Sequence, residues 1–277
     1  MKTNVLGIDI SFENYQEMLS RMWDDNFKTF TCVNVNYLNL TVKNKNYREN
    51  LRSFDIIHPD GIGAKLAAKI LGHKEYIEKI GGSDFYLLLF EKVRLLELPI
   101  YILGDKQFIL DKAVKNIKEL FPGIIMAGYH HGYIDKNDRT IVEEINRAKP
   151  FLLLVGMGAP QQEEWVIKWK DEIKANKILV IGGGLRVLAG KRKRGPLWMR
   201  KLSLEWVVRL VTEPRYCWRR YIIGIPLFLY RVFRQRYKEN NFFRSFRLKH
   251  FKPPFPLKHF KPPFPLIEKE AKDQGCK

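Results

Sequence analysis

Residues 151–165 read FLLLVGMGAPQQEEW. Phe151–Val155 is apolar at every position and too short for a helix, so it reads as a strand buried on both faces. A small-residue turn, Gly156-Met-Gly-Ala-Pro160, then feeds a helix that begins at Gln161. The same unit recurs along the chain. Val5–Ile10, Thr29–Asn34, Phe54–Ile57, Ile100–Leu103, Ile124–Tyr129 and Lys177–Ile181 read as strands. Helical patterns separate them at Phe12–Trp23, from Tyr37, at Ile62–Leu71, from Ser83 to Leu95, at Lys106–Leu120 and at Arg139–Ala148. Short apolar strands alternating with helices predict an α/β fold: a doubly wound, mainly parallel, Rossmann-like sheet. From about Pro196 the pattern turns helical, with segments at Trp198–Val211, Arg215–Tyr221 and Pro226–Tyr237. The expected organisation is an α/β catalytic domain over 1–195, a helical basic appendage over 196–247 and a Pro-rich tail over 248–277. In that tail LKHFKPPFP occurs twice in succession, which suits an extended, polyproline-like segment.

Charge divides the chain in the same place. Residues 1–185 carry 25 Lys and Arg against 24 Asp and Glu, whereas residues 186–261 carry 21 against 3. The basic part is interleaved with Trp, Tyr and Phe, so it is built to meet something anionic. The three cysteines, Cys32, Cys217 and Cys276, are far apart and in no metal-ligand spacing. They suit a reducing compartment and argue against a disulfide framework or zinc site. The N-terminal residues lack the apolar run of a signal peptide. The apolar run at Tyr221–Tyr230 has about half of the ~20 residues a spanning helix needs. The chain is expected to lie on a membrane and not to cross it.

In an open parallel sheet, ligands bind beyond the carboxyl ends of the strands. The turns there hold Asn34, Asp60-Gly61, Gly104-Asp105, Gly156–Gln162 and Gly182-Gly-Gly184. Gly-rich turns opening helices offer backbone N–H groups to a phosphate. None matches a P-loop or the G-x-G-x-x-G dinucleotide fingerprint, so an NTPase or NAD enzyme is unsupported. Pro59-Asp60-Gly61 is a common turn sequence. It also places a carboxylate at the sheet edge, where it could take a proton from a hydroxyl. A helix-cap reading explains the two Glu after Pro160, but not the paired Gln161-Gln162. Arg209, Arg215, Arg219 and Arg220 supply guanidinium forks for phosphate. Trp206, Trp218 and Tyr221 among them favour an interface over a merely solvated face.

These segments together resemble the WecG/TagA/CpsF glycosyltransferases of bacterial wall and surface polysaccharide synthesis. The resemblance is carried by CVNVNYL (32–38), DIIHPDGIGAKLAAKILG (55–72), GGSD (81–84), YILG (101–104), HGY (131–133), VGMGAPQQEEW (155–165) and LAGKRKRGPLWMRKLSLEWVVRLVTEPRYCWRRY (188–221). It implies inverting, metal-independent transfer of a sugar, with N-acetylmannosamine the best-known one. The donor is a UDP-sugar and the acceptor a polyprenyl-diphosphate-linked sugar at the cytoplasmic face of the membrane, with no cofactor. Asp60 is then the catalytic base. Cys32, Asn34, Asn36, Lys79, Asp84, Gly104, Tyr133, Gly156, Gly158 and Gln162 fall at substrate-binding positions. By the same resemblance Arg209, Arg219 and Arg220 are appendage arginines that close over the donor diphosphate and face the membrane, and Arg215 also falls at a substrate-binding position. The chain departs from the family's usual residues at Cys32 (Thr), Lys79 (Arg), Leu185-Arg186 (Phe-Asp) and Tyr216 (Arg). Those departures leave a different donor, a hexose or uronic acid, as the alternative, and a non-catalytic relative as another.

A nucleic-acid-binding protein is the rival from a different class, since a basic aromatic segment in a chain of pI about 9.8 is also that footprint. It gives the Asp60 and Gln162 turns no role, and no RRM or zinc-finger signature is present, so no specific nucleic-acid partner is expected. A homo-oligomer in which the appendage completes a neighbour's site is compatible with the sequence.

Overall fold

The computed structural model describes residues 2–73, 82–192, 195, 196, 198, 199, 202 and 204–250. The predicted first strand is two strands. β1 (Lys2–Val5) and β2 (Ile8–Ser11) pair antiparallel across Leu6 and Gly7. Both turn residues have positive φ, 52° and 86°, the conformation whose twist matches a two-residue hairpin. Helix α1 (Tyr15–Met22) starts later than the apolar pattern suggests, because Asn14 and Glu17 form a reciprocal capping box.

A six-stranded parallel sheet follows, in the order β4-β3-β8-β7-β5-β6. Its strands are β3 (Lys28–Val33), β4 (Ile56–Pro59), β5 (Ile100–Gly104), β6 (Met126–His130), β7 (Leu152–Gly156) and β8 (Lys177–Val180). The chain lays β3 and β4 outward in one direction and β5 and β6 in the other. It then fills the gap with β7 and β8. Between them run α2 (Val35–Lys43), α3 (Lys45–Arg52), α4 (Ile62–Ile70), α5 (Gly82–Leu95), α6 (Gln107–Leu120), α7 (Thr140–Ala148) and α8 (Gln161–Trp169).

Each sheet face has its own apolar cluster. Leu153, Val155, Ile178 and Val180 belong to one, with Trp165 of α8; Leu152, Leu154 and Leu179 belong to the other, with Phe85 and Leu89 of α5. Burial on both faces is why Phe151–Val155 shows no alternation. All six strands point the same way, so the turns after β3, β4, β5, β7 and β8 open at one edge.

After α9 (Gly184–Leu188) come α10 (Glu205–Thr212) and α11 (Pro214–Trp218), a π turn (Arg219–Ile223) and α12 (Gly224–His250). Pro226 does not end the helix: α11, the π turn and α12 follow one another without a break, and Pro226 comes just after the π turn, where the helical bonding is already irregular. Phe228 and Val232 are fully buried in the first cluster. Polar contacts hold the same stretch: Gln235 receives the Leu6 N–H at 2.8 Å, and the Arg231 guanidinium donates to Asn39 Oδ1 at 2.7 Å. The start of α12 is thus part of the core. The chain forms one compact unit over Met1–Tyr237 and a second over Lys238–Lys277. The Pro-rich repeat beyond His250 lies outside the described residues.

Candidate active site

Asp60 follows β4, and its backbone N–H donates to the Val33 carbonyl of β3 at 2.8 Å. This bond sets it beside the start of α2. There Asn34 caps the helix, its Oδ1 accepting the backbone N–H of Asn36 at 3.1 Å and of Tyr37 at 3.3 Å. The cap fixes which end of the amide is oxygen. Its Nδ2 therefore turns to Asp60 and donates to Oδ2 at a long 3.5 Å. Cys32 lies beside the pair, buried, and its thiol is raised well above the usual range by burial, then by Asp60 and Glu163. Burial lowers the His58 imidazole to about 4, so it is neutral at physiological pH.

The turn after β7 is held from inside. Gln162, fully buried, accepts the Gly158 backbone N–H on Oε1 at 3.0 Å. Its Nε2 donates to Glu163 Oε1 at 2.8 Å. Sequence reasoning passed over Glu163 as a helix-start acid, yet it is fully buried and burial pushes it up to about 7. Gly182, after β8, closes over this pair: a Cβ there would stand 3.0 Å from the Tyr37 hydroxyl and 3.8 Å from Gln162 Nε2. Close approach also explains Gly104, where a Cβ would lie 2.5 Å from the Gly156 carbonyl oxygen. Gly156 likewise faces Leu185 and the Gly182 carbonyl oxygen.

Asp105 ties the rest of the edge together. Its N–H donates to the Gly156 carbonyl at 3.1 Å, and its own carbonyl accepts the Gly132 N–H at 2.8 Å. Its carboxylate takes two bonds from Arg186, 2.7 Å from Nε and 3.3 Å from Nη2. The positive charge that Arg186 brings to the Gly-rich turn is thus met by a carboxylate from the turn after β5. Tyr133, in the loop after β6, is exposed, with the Lys106 ammonium 5.9 Å from its ring centre. Asp84 is exposed in the first turn of α5. Lys79 lies outside the described residues.

The four appendage arginines separate into two pairs. Burial would lower the Arg209 guanidinium, but the Tyr221 hydroxyl, which it hydrogen-bonds, and the Asp60 carboxylate raise it on balance. Arg209 therefore lies within electrostatic reach of Asp60. Arg220 lies within the same reach of the Cys32 thiol and the Tyr37 hydroxyl. Arg219 is exposed, its guanidinium 5.2 Å from the Trp218 ring centre, and Arg215 is also exposed. Tyr86 of α5 is a residue the sequence did not single out. It donates to the Ile181 carbonyl at 3.4 Å and feels Asp60 and Arg209. Among the described residues no three His, Cys, Asp or Glu side chains are grouped to hold a metal ion.

A carboxylate at the open edge of a parallel sheet, beside an amide and within electrostatic reach of a guanidinium group, can take a proton from a hydroxyl while a cation meets developing negative charge. Sequence comparison agrees: residues 3–242 match the glycosyl transferase WecG/TagA/CpsF family, and the chain belongs to it. Similar proteins include the N-acetylglucosaminyldiphosphoundecaprenol N-acetyl-beta-D-mannosaminyltransferases of Staphylococcus aureus strains NCTC 8325 / PS 47 and COL. Each is 28% identical over 250 residues, covering 86% of this chain and 94% of the relative. The enzyme of the same name from strain MRSA252 has the same identity and coverage. The chain is a glycosyltransferase.

Proposed function

We propose that the protein transfers a sugar, N-acetylmannosamine in the first instance, from UDP to a polyprenyl-diphosphate-linked N-acetylglucosamine, with inversion and without a metal. The relatives' names supply the acceptor and sugar. The observation that carries the reaction is Asp60, held by Asn34 at the open sheet edge and electrostatically coupled to Arg209. In this reading Asp60 takes the proton of the acceptor hydroxyl as its oxygen attacks the anomeric carbon. The bond from that carbon to the diphosphate oxygen breaks, and UDP leaves with the electron pair. Arg209 and Arg220 stabilise the charge that develops on it. Cys32, Asn34, Asn36, Asp84, Gly104, Tyr133, Gly156, Gly158 and Gln162 belong to the substrate crevice in this assignment. Arg215 and Arg219, both exposed, face the anionic membrane surface. The protein works as a peripheral enzyme at the cytoplasmic face of the membrane, where its lipid-linked acceptor resides.

The test is UDP release from a panel of UDP-sugars in the presence of a short-chain polyprenyl-diphosphate-N-acetylglucosamine, for wild type and Asp60→Asn. Acceptor-dependent release from one donor that collapses in the variant is the expected result. Release that persists in Asp60→Asn removes Asp60 from the role of base, and release from a hexose or uronic acid donor alone replaces N-acetylmannosamine.

A further inference from the structure

Glu163 is an unlikely residue to find where it is. It is fully buried, one oxygen accepts from Gln162 Nε2 at 2.8 Å, and Oε2 has no hydrogen-bond partner among the described residues. A buried carboxylate satisfied on one side only is a poor structural element, because its unmet oxygen costs more than the single bond returns. Its one bond leads to the site. Gln162, held by Glu163, in turn holds the Gly158 N–H at 3.0 Å, and so the turn beyond β7. An amide can face either way round, and only its partners decide which end is the donor. Gly158 requires oxygen at its end, and Glu163 requires nitrogen at the other.

We propose that Glu163 is a positioning residue, whose carboxylate fixes the orientation of the Gln162 amide and thereby the Gly156–Pro160 turn of the sugar crevice. For its catalytic consequence this rests on the reaction proposed above. The groups facing Glu163 are Tyr47 from α3, Tyr37 from α2 and Cys32 from β3, with Glu164 beside it on α8. Arg220 faces Tyr37 and Cys32 in turn. Burial and the surrounding carboxylates push the two phenols and the thiol upward, away from neutrality, whereas Glu163 itself is pushed up to about 7. The grip on Gln162 therefore tightens as Glu163 ionises, since a hydrogen bond to a charged acceptor is the stronger one.

Two measurements test this. With glutamine labelled by nitrogen-15, the Gln162 side-chain NH2 signals, assigned by their loss in Gln162→Ala, are followed over roughly pH 5.5 to 8.5, a window bracketing the group. They should shift with a midpoint near 7, and the shift should vanish in Glu163→Gln. In the second measurement, wild-type kcat for acceptor-dependent UDP release should rise about tenfold through the same midpoint. Glu163→Gln should show a flat profile, with donor KM changed less than kcat. Gln162 signals that do not move in wild type, or an unaltered pH profile in Glu163→Gln, overturn the proposal. Absence of UDP release from every donor would overturn the proposed reaction instead, and the nitrogen-15 titration would still decide the pairing.

Discussion

Asp60→Asn keeps the shape of the side chain and the acceptor for Asn34 Nδ2, but leaves no basic oxygen to receive a proton. The expected loss in kcat is about 10²- to 10⁴-fold, the contribution of one positioned base, with unchanged thermal stability. Steady-state kinetics beside a melting curve checks both halves. Glu163 makes an opposite prediction for stability. Its carboxyl is raised in the folded chain from the usual 4.5 to about 7. The folded state thus holds a proton that the unfolded state gives up. The stability tied to that proton is complete below the unfolded value and is lost as pH rises through about 7. Glu163→Gln should therefore be more stable than wild type at pH 8, by about 3 kcal/mol for the shift above, and nearly equal at pH 4 to 5. Urea denaturation at the two pH values reads this directly, and an equal difference at both would sink it. Asp60, Asn34 and Gln162 were legible as candidates in the sequence because each stands at a strand-to-helix junction. Glu163, Tyr37 and Tyr86 were not, because their roles come from what packs against them, which residue type and spacing do not record.

At the level of elements, the parallel strands were readable from apolar runs bounded by glycine, since burial on both faces leaves an unmistakable composition. The β1–β2 hairpin was missed because Leu6-Gly7 hides inside a continuous apolar stretch, and Leu6 is an unusual residue for a left-handed turn. Strand order was not legible either. It is the insertion of β7 and β8 between β3 and β5 that sets the Gly156–Gln162 turn on the same edge as the Asp60 turn, with only β3 and β8 between their strands. The closeness of those strands sets a sharp requirement. In Gly104→Ala the new methyl would meet the Gly156 backbone, 2.5 Å from its oxygen and 2.6 Å from its carbonyl carbon. Neither can rotate away as a side chain would. A loss of about 2–3 kcal/mol in denaturant unfolding is expected, typical of overpacking against an unyielding neighbour. Gly123→Ala, whose Cβ would meet nothing within 4 Å, is the control for the positive-φ cost alone.

Across the whole molecule, charge and shape pull in different directions. The excess of basic residues after position 185 suggests a detachable anchor, yet Phe228 and Val232 of that same region are fully buried in the main core. Truncation near Gly195 would expose that core and confuse lost docking with lost folding. Substitutions on the outer surface separate them. Trp218, Ile222 and Ile223 are exposed large apolar side chains flanking Arg219 and Arg220. Among the described residues no helix is long and apolar enough to cross a membrane. Such a patch suits the plane of the interface, with rings and aliphatic groups in the acyl boundary and guanidinium groups at the lipid phosphates. Each buried apolar side chain contributes about 1.5–3 kcal/mol, so Trp218→Ala with Ile222→Ser and Ile223→Ser should weaken binding to anionic vesicles by at least about a hundredfold. Wild-type binding should also fall with added salt, as screening shortens the reach of the arginines from about 10 Å at 0.1 M to about 3 Å at 1 M. Flotation of the full-length variant, with its fold verified by circular dichroism, makes the measurement. A variant that floats as well as wild type would move the docking surface away from the π turn. It would also separate docking from the segment that carries Arg209 and Arg220, on which the proposed reaction relies.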